Sequence, residues 1–233
     1  MKTIKWIMSV GLVASLSASA LGQVTTLTFQ DGLNGYAGTR DVSVRGAAPD
    51  LNIGTDIEMS VDLSDGGFPT QGLLQFRDLI GAGSNQILAG STIQKAEIQV
   101  WITSVGDILN VHRMLQSWDE STATWNSLGN GIQANGVEAA TASTFTSTFV
   151  TPAGAWFNFD VTADVQAFAN GATNNGWAFL PTAGNGVDWY TRDYTLDPSL
   201  RNKLVVTYDP IPEPMTMGVL AIAGLLAARR RRA

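Results

Sequence analysis

The chain contains no cysteine and only one histidine, His112. Without cysteine, disulfide-stapled folds, thiol catalysis and cysteine-ligated metals are excluded. One histidine excludes a metal site built on two of them, and the sequence has no Gly-x-Ser-x-Gly elbow of the kind that serine hydrolases use. We therefore expect a protein that is not an enzyme.

Basic residues are scarce in the central part of the chain. Residues 23–211 carry eight basic and nineteen acidic side chains, a net charge of −11, whereas the whole chain has a formal net charge of −6. A surface this acidic repels phosphate backbones, so we expect no nucleic-acid partner. It suits neutral ligands or divalent cations, and it equally serves solubility alone.

The N-terminus has no apolar run as long as the roughly 20 residues of a comfortable membrane span. Lys2 and Lys5 precede a shorter apolar stretch over 7–16, and small residues follow up to Gly22. This order is typical of a secretory signal peptide. It predicts that residues 1–22 are a leader removed by signal peptidase; the alternative is an N-terminal membrane anchor.

The C-terminus, residues 211–233, has the pattern of a second targeting signal. Pro212, Glu213 and Pro214 precede an uncharged apolar run over 215–228 and four arginines. The run is near the lower limit for a transmembrane helix, and the arginines favour a cytoplasmic end. This order resembles the PEP-CTERM sorting tail. The resemblance implies an exosortase partner, transient insertion in the inner membrane, and delivery to the surface or matrix of a Gram-negative bacterium.

Between these ends, short alternating runs are separated by clusters of Gly, Asn, Asp and Pro. Since successive side chains of a strand point to opposite faces, each run is expected to bury one face and expose the other. The runs cover 41–45, 58–63, 74–77, 95–103, 156–161 and 204–208. They predict a single all-β domain over residues 23–210, built as an antiparallel β-sandwich.

One segment has helical spacing instead. Val161, Val165 and Phe168 recur at four- and three-residue intervals, and Asn170-Gly171 provides a typical C-terminal stop. We predict one short helix here, capped by Asp160 or Thr162. Residues 129–152 are rich in small side chains and predict a long loop with one weak strand.

Six motifs occur in order along the central part of the chain. They are Asn52-Ile53-Gly54, 73–76, 93–98, 118–126, 160–177 and 198–208. Together they resemble a DNRLRE domain, a family also classed among carbohydrate-binding modules. The resemblance implies a jelly-roll-like β-sandwich and, more loosely, carbohydrate binding. Gln75 stands where the family usually has arginine, and the closing motif is stretched by three residues.

Trp101 is the most informative candidate for ligand contact. Alternate residues already supply the apolar face of its strand, so the indole belongs to the polar face, where a ring can stack on the C–H face of a sugar. Trp156 has a similar setting. The predicted ligand-binding residues are Trp101, Trp156, Gln99, Gln75, Arg77 and Asn158. The alternative is that a loop or the helix covers both rings.

Two other aromatic segments leave structural and functional interpretations open. Trp118 and Trp125 bracket a segment that we interpret as a turn locked by buried rings, with Glu120 bound to backbone amides, rather than as a sugar subsite. Its adjacent carboxylates would point to opposite faces of a strand, which disfavours a glycosidase. Segment 188–194 is either the rim of a binding site or a strand whose Trp189 packs inward.

Acidic residues cluster near the start of the central region. Carboxylate and amide oxygens of this kind are the ligands that calcium prefers in proteins. We predict a structural calcium ion bound by Asp31, Asp41 and Asp50, with Asn52 and Asp56 nearby.

These inferences together predict an exported cell-surface or matrix protein that binds polysaccharide, such as an exopolysaccharide matrix, non-covalently. The alternatives are a structural or adhesive matrix protein without a discrete ligand, and a glycan-active hydrolase of unfamiliar type.

Overall fold

The computed structural model describes residues 23–147 and 152–211. The predicted leader, 1–22, and the predicted sorting tail from Pro212 onward lie outside the described residues. The strands are β1 (Thr25–Phe29), β2 (Thr39–Arg45), β3 (Glu58–Asp65), β4 (Phe68–Phe76), β5 (Thr92–Ser104), β6 (Leu109–Arg113), β7 (Phe145–Thr146), β8 (Ala155–Asp160), β9 (Trp177–Pro181), β10 (Val187–Tyr190) and β11 (Lys203–Asp209). The helix α1 covers Thr162–Ala169, and Pro198–Leu200 form a 3₁₀ turn.

The strands form one curled antiparallel sheet. Its order is β1-β11-β5-β10-β3-β4-β9-β6-β7, with β2 pairing with β4 and β8 pairing with β5. Strand β3 joins the two halves, because its Met59 and Val61 pair with β10 whereas its Asp62 pairs with β4. The curl brings the apolar faces of the halves together in a sandwich-like arrangement. The prediction of a mostly β, antiparallel fold with one short helix is confirmed.

The core lies between the two halves of the sheet. Strand β5 buries Ala96, Ile98, Val100 and Ile102 and turns the intervening residues away, as its alternation predicts. Three buried rings connect the halves across the core, with centroids 5.1 to 6.3 Å apart: Phe159 of β8, Phe179 of β9 and Trp189 of β10. Each such side chain contributes about 1.5–3 kcal/mol through burial.

In one half of the sheet, strands β2 and β4 are buried on both faces. Their outer face packs against the segment between β6 and β7, where Met114, Leu128 and Ile132 join Val42 and Leu73 in a second apolar cluster. The expectation that every run leaves one face wet is therefore wrong for β2 and β4. Gln71 and Gln75 of β4 lie on that face and are buried as well.

Helix α1 ends as its sequence predicts, but neither Asp160 nor Thr162, the two predicted caps, is its N-cap. The Thr162 N–H donates to Asp160 Oδ1 at 2.9 Å, although no side chain caps the helix at its N-cap, Val161. Asn170 is the C-cap, and Gly171 adopts a φ of +99°. The buried face includes Val165 and Phe168. In residues 23–147 and 152–211, no helix has the length and apolar character that crossing a bilayer requires.

Candidate functional site

Two indoles lie side by side on the outer face of the sheet. Trp101 of β5 and Trp156 of β8 are direct cross-strand partners. Their ring centroids are 5.6 Å apart and the ring planes meet at 78°, an edge-to-face pair. Both rings are partly exposed. Because the aliphatic residues of β5 fill the opposite face, the indoles point away from the core.

The next cross-strand row brings polar groups beside the rings. Gln99 pairs with Asn158 on one side and with Lys203 of β11 on the other. The Lys203 ammonium lies 3.7 Å from the centroid of a Trp156 ring, a cation–π contact. Partial burial lowers the pKa of Lys203. We call Trp101, Trp156, Gln99, Asn158 and Lys203 the indole face.

Farther along the strands the same surface becomes charged. Glu97 of β5 is the cross-strand partner of Asp160 of β8, and Lys95 Nζ lies 2.9 Å from Glu97 Oε1. The outer surface of β5 and β8 therefore passes from an edge-to-face pair of aromatic rings, through two amides, to an ionic row. A ligand lying along this direction would meet an apolar surface at one end and hydrogen-bonding groups at the other.

Gln75 and Arg77 do not join the indole face, because they lie on or just after β4, in the other half of the sheet. Gln75 Nε2 donates to the Asn174 carbonyl at 2.7 Å, and Arg77 Nε donates to Gln75 Oε1 at 3.0 Å. The structure thus brings four of the six predicted ligand-binding residues together. The buried Gln75 amide is engaged in contacts within the fold.

Three acidic side chains from distant parts of the chain converge elsewhere. Oxygens of Asp41 on β2, Glu120 in the segment after β6 and Asp193 after β10 all lie within 4.8 Å of one another. Asp41 Oδ2 accepts from the Arg192 backbone N–H at 2.9 Å and from Asn202 Nδ2 at 2.6 Å. Burial raises the pKa of Asp41 to about 7 despite these two donors.

Two arginines border these carboxylates. Arg192 Nη2 lies 2.8 Å from Glu120 Oε2, and Arg40 Nε lies 3.8 Å from the same oxygen. Arg192 Nη1 also lies 3.8 Å from Asp31 Oδ2. Burial raises the pKa of Glu120, although its backbone donor and the two arginines oppose the shift. We call Asp31, Asp41, Glu120 and Asp193 the acidic cluster.

The predicted calcium ligands separate in the structure. Asp31 and Asp41 both belong to the acidic cluster, whereas Asp50 Oδ1 accepts from Asn126 Nδ2 at 2.8 Å. Sequence reasoning did not include Glu120 or Asp193 in the metal set. No local spacing in the sequence connects these two residues to Asp41.

The remaining aromatic segments have structural contacts. Trp118 Nε1 donates to the Asn175 carbonyl at 2.9 Å, and a Cβ on Gly131 would lie 2.6 Å from the Trp125 ring. Glu120 Oε1 accepts from the Asp41 backbone N–H at 2.8 Å, the type of contact that the sequence predicts for this carboxylate. Trp189 packs inward.

A groove of about 490 Å³ lies beside β1 and is lined in part by Phe29, Tyr36 and Asp78. It shares no lining residue with the indole face. Tyr36 packs edge-on against Phe29 with ring centroids 5.4 Å apart, and its hydroxyl donates to the Arg77 carbonyl. The aromatic ring of this groove is therefore engaged within the fold.

The chain matches the family model described as carbohydrate-binding module family 96 over residues 34–208. The matched region contains every residue of the indole face and three of the four carboxylates of the acidic cluster. No curated protein matches the chain.

Proposed function

Since the chain belongs to carbohydrate-binding module family 96, we propose that it binds a polysaccharide non-covalently through the indole face. The observation that carries this proposal is the Trp101–Trp156 pair, which lies on the solvent side of a strand whose other side is filled with core residues.

The chemistry of the indole face suits a sugar chain. An indole is apolar on its face, so it can stack on the C–H surface of a pyranose ring while neighbouring amides bind the hydroxyl groups. Gln99 and Asn158 supply both donors and acceptors, and Lys203 adds a charged donor. Nothing in this set activates water or a nucleophile, so the proposed role is binding rather than turnover.

Replacement of each indole tests this function. The purified full-length protein is screened by affinity electrophoresis and by tryptophan fluorescence against a panel of neutral and acidic polysaccharides. For a polysaccharide that binds, Trp101→Ala and Trp156→Ala should each weaken binding at least tenfold, since buried aromatic anchors contribute about 2 kcal/mol or more. Phe68→Ala is the matched control, because Phe68 is 53% exposed at the start of β4 and lies outside the indole face.

The outcomes separate the alternatives. Binding that both tryptophan variants retain would contradict the indole face as the site. Absence of binding to the whole panel would favour a structural or adhesive role, and release of reducing ends would favour a hydrolase. Asn158 lies on the indole face, whereas Arg77, another predicted ligand-binding residue, follows β4 in the other half of the sheet. We therefore expect Asn158→Ala to weaken binding and Arg77→Ala to leave it unchanged.

We also propose that the protein is exported and sorted to the cell surface or matrix. The order of charged, apolar and small residues over 1–22, and of Pro212-Glu213-Pro214, the apolar run and the arginines, supports this proposal. Signal peptidase and an exosortase would act in turn, with the 215–228 helix inserted transiently in the inner membrane. We further propose that the curled sheet is a jelly roll of the DNRLRE type.

The export proposal is tested by the mass of the protein recovered from an exosortase-producing strain. We expect surface or medium fractions to hold a form that lacks both ends. The paired change Pro212→Ala with Pro214→Ala should leave the tail attached and the protein in the membrane fraction. A cytoplasmic full-length chain would contradict the proposal.

A further inference from the structure

Asp41 has one carboxylate oxygen with hydrogen bonds and one without. The side chain is 1% exposed. Its Oδ2 accepts two hydrogen bonds, whereas its Oδ1 is buried and finds no donor among residues 23–147 and 152–211. Buried polar atoms in folded proteins almost always have a partner, and a bare carboxylate oxygen is among the most costly exceptions.

Asn202 provides an independent observation at the same place. This residue is fully buried, and its Nδ2 donates to Asp41 Oδ2. The amide of Asn202 therefore lies next to the Asp41 carboxylate. The Asn202 Oδ1 has no hydrogen-bond partner in the part of the chain that the structure describes. The hydroxyl of Thr39, a neighbour of Asp41 in β2, also has no partner there, and Asp193 Oδ2 has no hydrogen bond, although Arg192 Nε lies 3.6 Å from it. Several acceptor oxygens without donors point to a bound cation.

The spacing of the carboxylates suits a shared calcium ion. Calcium binds oxygen ligands at about 2.3–2.6 Å, so two oxygens on the same ion lie at most about 5 Å apart. The Asp41, Glu120 and Asp193 oxygens all meet this condition, since they lie within 4.8 Å of one another. Magnesium demands a tighter octahedron and keeps more of its water, so calcium is the better match for a protein-built set of oxygens.

The local charge also leaves room for a divalent cation. The acidic cluster contains four carboxylates, whereas two guanidiniums, those of Arg40 and Arg192, lie within ion-pair distance of its members. When all four carboxylates are ionised, an excess of two negative charges remains. The Arg192 guanidinium lies within ion-pair distance of Glu120, Asp193 and Asp31, whereas the hydrogen bond from Arg192 to Asp41 comes from its backbone N–H.

We propose that Asp41, Glu120, Asp193 and Asn202 form a calcium site. The four residues come from β2, from the segment after β6, from the segment after β10 and from the position before β11. A bound ion would therefore join four separate stretches of chain. Asp193 is partly exposed and provides the access route to the otherwise buried ligands. The site is distinct from the indole face and does not depend on polysaccharide binding.

The test is a calcium titration of the purified full-length protein after treatment with EGTA. We expect calorimetry to show one calcium ion per chain and thermal unfolding to shift upward by several degrees, with saturation. Magnesium chloride at the same concentration should produce a smaller shift. Asp41→Asn and Asp193→Asn should abolish the calcium-dependent shift. Asp50→Asn is the matched control and should retain it, since Asp50 contacts Asn126 instead.

Two results would overturn the proposal. One is a wild-type chain that neither binds calcium at millimolar concentration nor changes its unfolding temperature, which would assign the bare oxygens to ordered water. The other is a full calcium response in both ligand variants, which would place any ion elsewhere. If Asp41→Asn does not fold, Asp193→Asn still decides, because its side chain is partly exposed. Trp101→Ala should keep the calcium response.

Discussion

Replacing Asp41 with asparagine measures what the buried carboxylate does to stability when no divalent cation is present. The change keeps the shape of the side chain and removes its charge. In the folded protein, burial raises the pKa of Asp41 from 3.8 to about 7. The groups that face it are the Asn202 amide, the backbone N–H and guanidinium of Arg192, and the carboxylates of Glu120 and Asp193.

The sign of the pH effect follows from proton linkage. Because the folded state holds the proton more tightly than the unfolded state, this group lowers stability as pH rises from about 4 to about 7. A shift of about three pKa units corresponds to about 4 kcal/mol. The wild-type chain should lose about this much of its free energy of unfolding across that window through Asp41, and Asp41→Asn should not.

Urea denaturation in EDTA, followed by tryptophan fluorescence from pH 4 to pH 8, provides the measurement. The variant should match the wild type near pH 4 and exceed its free energy of unfolding by several kcal/mol at pH 8. Asp50→Asn should show no such trend. A variant that is less stable than the wild type at pH 8 would refute the reasoning, because it would mean that the ionised carboxylate stabilises the cation-free fold.

Two further predictions concern the core and one turn. Phe179→Ala removes a fully buried ring that contacts Phe159 and Trp189, and it should lower the free energy of unfolding by about 3–5 kcal/mol in the same urea assay; a loss below 1 kcal/mol would contradict the packing. Gly176→Ala should lower the melting temperature measurably, because Gly176 has a φ of +75° and a Cβ there would meet the Leu74 carbonyl oxygen. Gly154→Ala, at a similar φ but in open space, should have a smaller effect.

The sequence predicts secondary structure and side-chain orientation best where one face of a strand or helix is exposed to solvent. Strand β5 alternates over its whole length, so the aliphatic side was assigned correctly and Trp101 could be placed opposite it. Helix α1 was predicted from three spaced apolar residues and a glycine stop. Strand β9 escaped prediction because its sequence over Trp177–Pro181 is almost entirely apolar and therefore shows no alternation.

Long-range assembly accounts for the features that no local pattern contains. Nothing in the small-residue composition of 129–147 indicates that this part of the chain helps to cover the outer face of β2 and β4. The acidic cluster also joins residues that are far apart in the sequence. The hydrogen bonds of Asp41 with Glu120, Arg192 and Asn202 span 79, 151 and 161 residues. Only the folded chain brings these groups into one place.

The continuity of the sheet through β3 has a mechanical consequence. Because β3 is hydrogen-bonded to β10 at one end and to β4 at the other, this one strand connects the backbone pairing of the two halves, with a register shift between Asp62 and Asp65. Disruption of either half should therefore destabilise the other, so we expect the two halves to unfold together in one cooperative transition. The two indoles lie on adjacent strands of this sheet, which holds their separation and tilt before a ligand binds. A ligand that stacks on them would therefore lose little binding free energy to the ordering of protein side chains.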